Sequence, residues 1–266
     1  MLHSFGLSSS CFKSMSPARA MAEAVRASEP FLGVPGPLFE IAENGPLDQR
    51  MLDSMRKHHP DVRLIAHGAL AMAGRVHVDL SSMHLGESPA VVERIMQFLL
   101  DNGIGFWSLH AGNARHASMD QVLDRVRLLC GLHPGRIEVA VEGNPPAPGA
   151  LLSSWDEYRY LLGTDTPYVV NTAHLEILES REGIDERVME SLFTSPGCRL
   201  IHVSGTDGRG MRRWLLDDEP WWLRYLDSSS PALVSEADHM AGVRSPRKTA
   251  MDDRMQEWPA MTARAA

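Results

Sequence analysis

The chain has 266 residues, of which 44% are hydrophobic and 23% are charged, and its formal net charge is −8. This composition is typical of a globular protein with a sizeable core and excludes a disordered or fibrous chain. The acidic balance argues against a general nucleic-acid-binding protein, which usually carries a basic stripe, so no nucleic-acid partner is expected.

Short apolar runs rich in valine, isoleucine and leucine recur roughly every 30 residues, which is the spacing of a βα unit. Eight such runs predict strands at residues 2–8, 38–42, 62–67, 105–110, 136–142, 167–171, 199–204 and 232–236. Segments with helical periodicity lie between most of them, at residues 17–28, 88–102, 119–129, 154–162 and 185–193. The second of these helices is expected to begin with a serine cap at Ser88 and a proline in its first turn.

Strands that alternate with helices form a parallel sheet, and eight of them close into a barrel. The fold prediction is therefore α/β, a single (β/α)₈ TIM barrel that occupies residues 1–240. Residues 211–225 are tryptophan-rich and are interpreted as a long loop plus helix over the barrel mouth. Residues 241–266 lose strand signals and are expected to form a C-terminal tail, loose or helical.

The three cysteines, Cys11, Cys130 and Cys198, are far apart and have no CxxC spacing. They favour neither a disulfide framework nor a thiolate zinc site. The N-terminus lacks the pattern of a secretory signal, and no run approaches the roughly 18 apolar residues that a membrane span requires. A cytoplasmic protein without a membrane partner is expected.

Six of the eight predicted strands end in a residue type that binds metal ions. These residues are His67, His110, Glu142, Asn171 together with His174, His202, and Glu236. In a TIM barrel all strands open onto one face, so these side chains are expected to converge although they are far apart in sequence. Burying them unpaired costs several kcal/mol each, and a bound cation removes that cost.

Ligands that mix nitrogen and oxygen without thiolate suit zinc, manganese or iron. Glu142 is placed to bridge two metal ions, whereas Asn171 is a poor ligand type that can instead orient a substrate. Glu142, Glu236 and Asp207 are the candidate catalytic carboxylates, the last in a glycine-rich loop. Glu40 or Glu43 is expected near the pocket, and Asp79 on a surface loop.

Seven short motifs carry a resemblance to a known family. They are FEIAEN at 39–44, AHGAL at 66–70, S-x-H at 108–110, EGNP at 142–145, NTAH at 171–174, IHVSG at 201–205 and SEAD at 235–238. With these motifs the chain resembles the xylose-isomerase-like TIM-barrel superfamily over most of its length. Within it, the chain is most similar to the multinuclear non-haem iron oxidative enzymes, the group of the methanobactin-biosynthesis oxidase.

The resemblance implies about two or three iron ions as cofactors, with manganese or zinc as alternatives. The implied ligands are His67, His110, Glu142, His174, His202 and Glu236. It further implies activation of dioxygen to modify a peptide or small thiol-containing substrate, and a partner protein that delivers the peptide. Two departures stand out: Asn171 occupies a position where the family has aspartate, and a later D-x-H pair is missing, which Asp217 or Asp218 partly replaces.

Three alternative functions remain open. The first is a divalent-metal sugar isomerase or epimerase, and the second is an abasic-site endonuclease, which the acidic charge disfavours. The third is a non-catalytic barrel that binds a partner through a tryptophan patch formed by Trp214, Trp221 and Trp222.

Overall fold

Eight parallel strands close into a barrel in the computed structural model, which describes residues 5–8, 38–42, 49–69, 78–206, 212–213, 221–226 and 230–236. The barrel strands are β1 (Phe5–Ser8), β2 (Leu38–Ile41), β3 (Arg63–His67), β4 (Phe106–His110), β5 (Glu138–Glu142), β6 (Tyr168–Asn171), β7 (Cys198–Val203) and β10 (Ala232–Ser235), and two short strands outside the barrel are β8 (Gly205–Thr206) and β9 (Arg212–Arg213). The barrel order is β1-β10-β7-β6-β5-β4-β3-β2, while β8 and β9 form a separate antiparallel pair. The predicted TIM barrel is confirmed.

Helices separate most of the barrel strands. They are α1 (Gln49–His58), α2 (Ser88–Asp101), α3 (Met119–Leu132), α4 (Trp155–Leu162), α5 (Thr172–Glu182) and α6 (Glu186–Thr194). Ser118, Ser154 and Asp185 accept hydrogen bonds from the first turns of α3, α4 and α6 and so cap them. The serine cap predicted for α2 is not formed, because Ser88 is already helical and Glu87 takes the N-cap position without a side-chain hydrogen bond.

The strands carry two layers of side chains, because successive residues of a strand point to opposite faces of the sheet. One face packs under the helices, in a large core that includes Phe39, Ala66, Val141, Val170 and Ile201. The other face forms a separate buried cluster with one residue from each of six strands, namely Leu38, Ile65, Ala140, Val169, Leu200 and Val234. This second cluster fills the interior of the barrel.

The period of two also places the polar residues. Two positions after each member of the inner cluster comes a polar residue: Glu40, His67, Glu142, Asn171, His202 or Glu236. The chain runs in the same direction in every barrel strand, so this polar layer lies above the apolar layer, at the carboxyl ends of the strands.

The segment predicted to lie over the mouth contains a 3₁₀ helix at Trp221–Tyr225. Trp221 and Tyr225 contact Phe193 of α6, and Trp222 is only 3% exposed. Trp222 therefore belongs to the core and Trp221 is partly buried against it, while Trp214 lies outside the described residues. In the described part of the chain, no helix has the length and apolar character needed to cross a bilayer.

Candidate metal centre

The seven residues predicted as metal ligands meet at the carboxyl end of the barrel. They are His67, His110, Glu142, Asn171, His174, His202 and Glu236, and all but His110 are buried. The ring centroid of His67 lies 5.0 Å from that of His110 and 5.1 Å from that of His202. The ring centroids of His110 and His174 are 6.0 Å apart. Strand register contributes directly, because His110 and Glu142 are paired neighbours on β4 and β5.

Glu142 lies at the centre of this group and is fully buried. Its Oε2 atom is 3.0 Å from Nδ1 of His202 and 3.3 Å from Nδ1 of His67. Burial alone would raise the pKa of Glu142, but the imidazoles of His202, His67 and His110 hold this pKa well below its usual value. The carboxylate is therefore negatively charged and available to a cation.

His202 lies between two carboxylates in the buried interior. Its Nε2 atom is 2.7 Å from Oε1 of Glu40, and its Nδ1 atom faces Glu142. Burial alone would lower the pKa of His202, whereas Glu142, Glu40 and Glu236 raise it well above the usual value. When Nδ1 gives its lone pair to a cation, the Nε2–H group donates to Glu40, so Glu40 fixes the imidazole tautomer.

Sequence reasoning placed Glu40 only near the pocket and missed this contact. Glu40 is 0% exposed and lies on β2, at the same level of the barrel as the predicted ligands. A signal was available in the sequence, because Glu40 follows Leu38 by two residues, just as His67 follows Ile65.

Asn171 connects two carboxylates and a helix. Its Nδ2 group donates to Oε1 of Glu142 and to Oε2 of Glu236, each at 2.9 Å. Its Oδ1 atom accepts hydrogen bonds from the backbone N–H groups of Ala173 and His174, which caps α5. Asn171 thus faces the centre with its amide nitrogen, while its oxygen, the atom that would bind a metal, is engaged by the helix.

His174 is oriented by a backbone carbonyl. Its Nδ1 atom lies 2.8 Å from the oxygen of Gly143, and because a carbonyl only accepts, Nδ1 carries the hydrogen. Nε2 is then the nitrogen that presents a lone pair. Gly143 has no room for a side chain, since a Cβ there would collide with the Tyr158 hydroxyl and the Leu152 carbonyl. Burial, followed by the charge of Glu142, raises the pKa of Tyr158, so its phenol stays protonated.

The turn after His110 packs against residues 79–81, which were predicted to lie on a surface loop. Asp79 and Ser81 are buried at 8% and 0% exposure, and the Ser81 hydroxyl donates to the Asp79 carboxylate at 2.8 Å. Gly112 has a φ of +90°, and a Cβ there would collide with both of these side chains. Its N–H donates to Oδ1 of Asn144 at 2.7 Å, which joins the turns after β4 and β5. The prediction that Asp79 lies on a surface loop is therefore wrong.

Two observations indicate that the arrangement fits metal ions: several nitrogen and oxygen ligand atoms lie close together, and two buried polar atoms among them lack a hydrogen bond from the described residues. Three overlapping groups have ligand atoms that all lie within 4.8 Å of one another: Glu40, His67 and His202; His67, His110 and Glu142; and Glu142, His202 and Glu236. Within the described part of the chain, neither Oε2 of Glu142 nor Nδ1 of His202 makes a hydrogen bond of normal geometry. A cation between these two buried atoms would satisfy both.

Several sequence predictions fall outside the described residues. They concern Asp207, Glu43, the pair Asp217 and Asp218, and the tail at 241–266. These remain predictions.

Comparisons with known proteins identify the fold. No protein-family model matches the chain, and no curated protein matches it in sequence. Endonuclease IV from Thermus thermophilus is 17% identical, with 97% of this chain and 99% of that chain covered and a TM-score of 0.58. A D-tagatose 3-epimerase-like protein is 12% identical, with 98% of each chain covered and a TM-score of 0.64.

A putative xylose isomerase from Rhodospirillum rubrum is 15% identical, with 97% of this chain and 99% of that chain covered and a TM-score of 0.63. At such identities the likeness speaks for the fold and leaves the activity to be argued from the site. The chain shares the TIM-barrel fold of xylose-isomerase-like proteins.

Proposed function

We propose that this chain is a metal-dependent enzyme with a multinuclear centre at the mouth of its barrel. Its ligands are His67, His110, Glu142, His174, His202 and Glu236. The observation that carries the proposal is the overlap of the three ligand groups, which share Glu142, His67 and His202. A single ion cannot use all of these atoms, so the arrangement favours two or more ions that share a bridging carboxylate.

Iron and oxidative chemistry are the more specific form of this proposal. His67, His110 and Glu142 form a set of two histidines and one carboxylate, which is typical of non-haem iron(II) oxygenases. Iron bound there supplies the redox chemistry that a dioxygen-dependent oxidation requires. As the resemblance implies, the proposed substrate is a peptide or a small thiol-containing molecule, with a partner protein that delivers the peptide.

Residues around the proposed centre orient the ligand imidazoles and supply carboxylates for proton transfer. Glu40 holds the imidazole of His202, and the carbonyl of Gly143 holds that of His174. Glu236 has its Oε1 atom 3.8 Å from Nδ1 of His202, and this oxygen is proposed to accept a proton from a bound substrate whenever it is not holding an ion. Asp207 is a proposed further catalytic carboxylate.

Metal content and oxygen consumption test the proposal together. The protein is purified without added metal, and iron, manganese and zinc are quantified by elemental analysis. We expect about two or more iron ions per chain, and oxygen consumption with cysteine-containing peptides. Glu142→Gln should lose the metal, whereas the control Glu138→Gln, at the opposite end of β5, should retain it. Oxygen consumption by an iron-free protein would contradict the oxidative proposal.

A divalent-metal isomerase or epimerase is the second candidate. The group of Glu142, His202 and Glu236 supports it. A metal ion held there would polarise a substrate carbonyl, and one of the two carboxylates would be close enough to transfer a proton. The fold shared with a D-tagatose 3-epimerase-like protein agrees with this alternative. Such a reaction needs no oxygen, so conversion of ketoses under nitrogen by manganese- or zinc-loaded protein would select it over the oxidative proposal.

The remaining alternatives have weaker support. Endonuclease IV shares the fold, but a net charge of −8 disfavours binding to DNA. The docking surface proposed for a non-catalytic barrel is reduced, because Trp222 is buried in the core and Trp221 is partly buried against it.

A further inference from the structure

We infer that Asn171 limits the number of metal ions in the centre, because its amide group occupies the position of a cation between two carboxylates. The inference rests on the proposed metal centre and assigns Asn171 a positioning role in place of the ligand role predicted from sequence.

The first step concerns the contacts of the amide. Both hydrogens of its NH₂ group are engaged, one with Oε1 of Glu142 and the other with Oε2 of Glu236, each at 2.9 Å. These bonds join two fully buried acceptors that would otherwise repel each other. The amide nitrogen thus supplies the partial positive charge that a bridging cation would supply.

The second step concerns the orientation of the amide, which both of its ends determine. A flip would turn the Asn171 oxygen toward two carboxylates and its NH₂ group toward the backbone N–H groups of Ala173 and His174. Every one of these contacts would then be repulsive. Asn171 therefore cannot present its oxygen to a metal ion without losing the cap of α5.

The third step concerns the other oxygen of each carboxylate. Oε2 of Glu142 is 3.0 Å from Nδ1 of His202, and Oε1 of Glu236 is 3.8 Å from the same atom. With one oxygen of each carboxylate on the amide, Oε1 of Glu236 faces an ion beside His202. Oε2 of Glu142 lies near both His202 and His67, so this single oxygen can be shared by two ions. A second ion between Oε1 of Glu142 and Oε2 of Glu236 is excluded by the amide nitrogen.

Two substitutions at position 171 separate this role from the helix cap. Asparagine, aspartate and serine are all good N-cap residues, so Asn171→Asp and Asn171→Ser both keep an oxygen for α5. Asn171→Asp replaces the NH₂ group by an anionic oxygen, whereas Asn171→Ser removes the donor without adding charge. Asn102→Asp is the matched control, since Asn102 is equally buried but lies at the end of α2, away from the centre.

The experiment loads each metal-free protein with cobalt(II) and measures bound metal by elemental analysis, affinity by chelator competition, and the visible cobalt spectrum. We expect one additional cobalt ion per chain in Asn171→Asp, with a new spectral component. Asn171→Ser removes the amide but adds no ligand, and two carboxylate oxygens alone are too few to hold a further ion, so we expect the wild-type number of ions. Their affinity should be weaker by about 10–100-fold, the usual cost of losing a partner that orients ligands. Asn102→Asp should match the wild type in all three measurements.

The inference is overturned if Asn171→Asp binds the wild-type number of ions, or if Asn171→Ser binds them with wild-type affinity. If Asn171→Asp does not fold, wild-type affinity in Asn171→Ser still overturns the inference, and weaker affinity supports the positioning role of the amide. A wild-type chain that binds no metal refutes both this inference and the proposed function. If the wild-type chain binds metal and Asn171→Asp binds the same number of ions, only the inference is refuted.

Discussion

Glu40→Gln should weaken metal binding without disturbing the barrel. Glu40 accepts the hydrogen bond of His202 Nε2 at 2.7 Å, and both side chains are 0% exposed. Glutamine keeps the volume of the side chain but removes the charge, which orients the imidazole and increases its basicity. Hydrogen bonds to charged groups contribute about 1.5–3 kcal/mol, which corresponds to a loss of affinity of about 10–100-fold, the range found for such orienting partners.

The assay is chelator competition with zinc or cobalt, supported by thermal unfolding. At a metal concentration of about 100 times Kd, binding stabilises the wild-type fold by about 2.7 kcal/mol. After a 100-fold loss of affinity the same concentration contributes only about 0.4 kcal/mol. Glu138→Gln is the control, because Glu138 pairs with Arg199 at 2.8 Å at the other end of the barrel. An unchanged Kd in Glu40→Gln would refute the role assigned to Glu40.

Three further predictions concern stability and reactivity. Gly112→Ala should destabilise the fold by about 1–3 kcal/mol in urea unfolding, because φ is +90° and a Cβ meets two buried side chains. Gly131→Ala, in open space on α3, should instead stabilise by up to about 1 kcal/mol, and equal effects would contradict the packing argument. Burial raises the pKa of Cys198 to about 12, so alkylation followed by mass spectrometry should label it only after denaturation; rapid labelling of the native chain would count against this burial. In the metal-free protein the lowered pKa of Glu142 gives stability that is present above its unfolded pKa and lost as pH falls through the folded one. The raised pKa of His202 gives stability that is full below its unfolded pKa and lost as pH rises through the folded one. Unfolding across pH should therefore show a maximum, and Glu142→Gln should flatten its acidic side; an unaltered acidic side would refute the assignment.

The sequence predicted the barrel and most of the centre because both depend on simple periodicities. His110 and Glu142 end their strands, and register pairing of β4 with β5 makes them neighbours. No side-chain detail was needed for that step, since parallel strands of a barrel all open onto one face.

The remaining features depend on side-chain orientation and on contacts between distant segments. The amide of Asn171 meets a carboxylate 65 residues later, and Glu40 meets an imidazole 162 residues later. Neither pairing can be read from local spacing. Helix α5 was missed because it begins directly after β6, with Asn171 serving both elements, and because its apolar residues do not form one stripe.

The order of the ligands along the chain has a consequence for biosynthesis. Barrel closure pairs β1 with β10, and Glu236 follows β10 directly. A nascent chain emerging from the ribosome therefore presents His67, His110 and Glu142 well before the last carboxylate is available. In the proposed metal centre the full ligand set is therefore assembled only after the last strand has closed the barrel, so metal affinity and barrel closure are expected to be coupled.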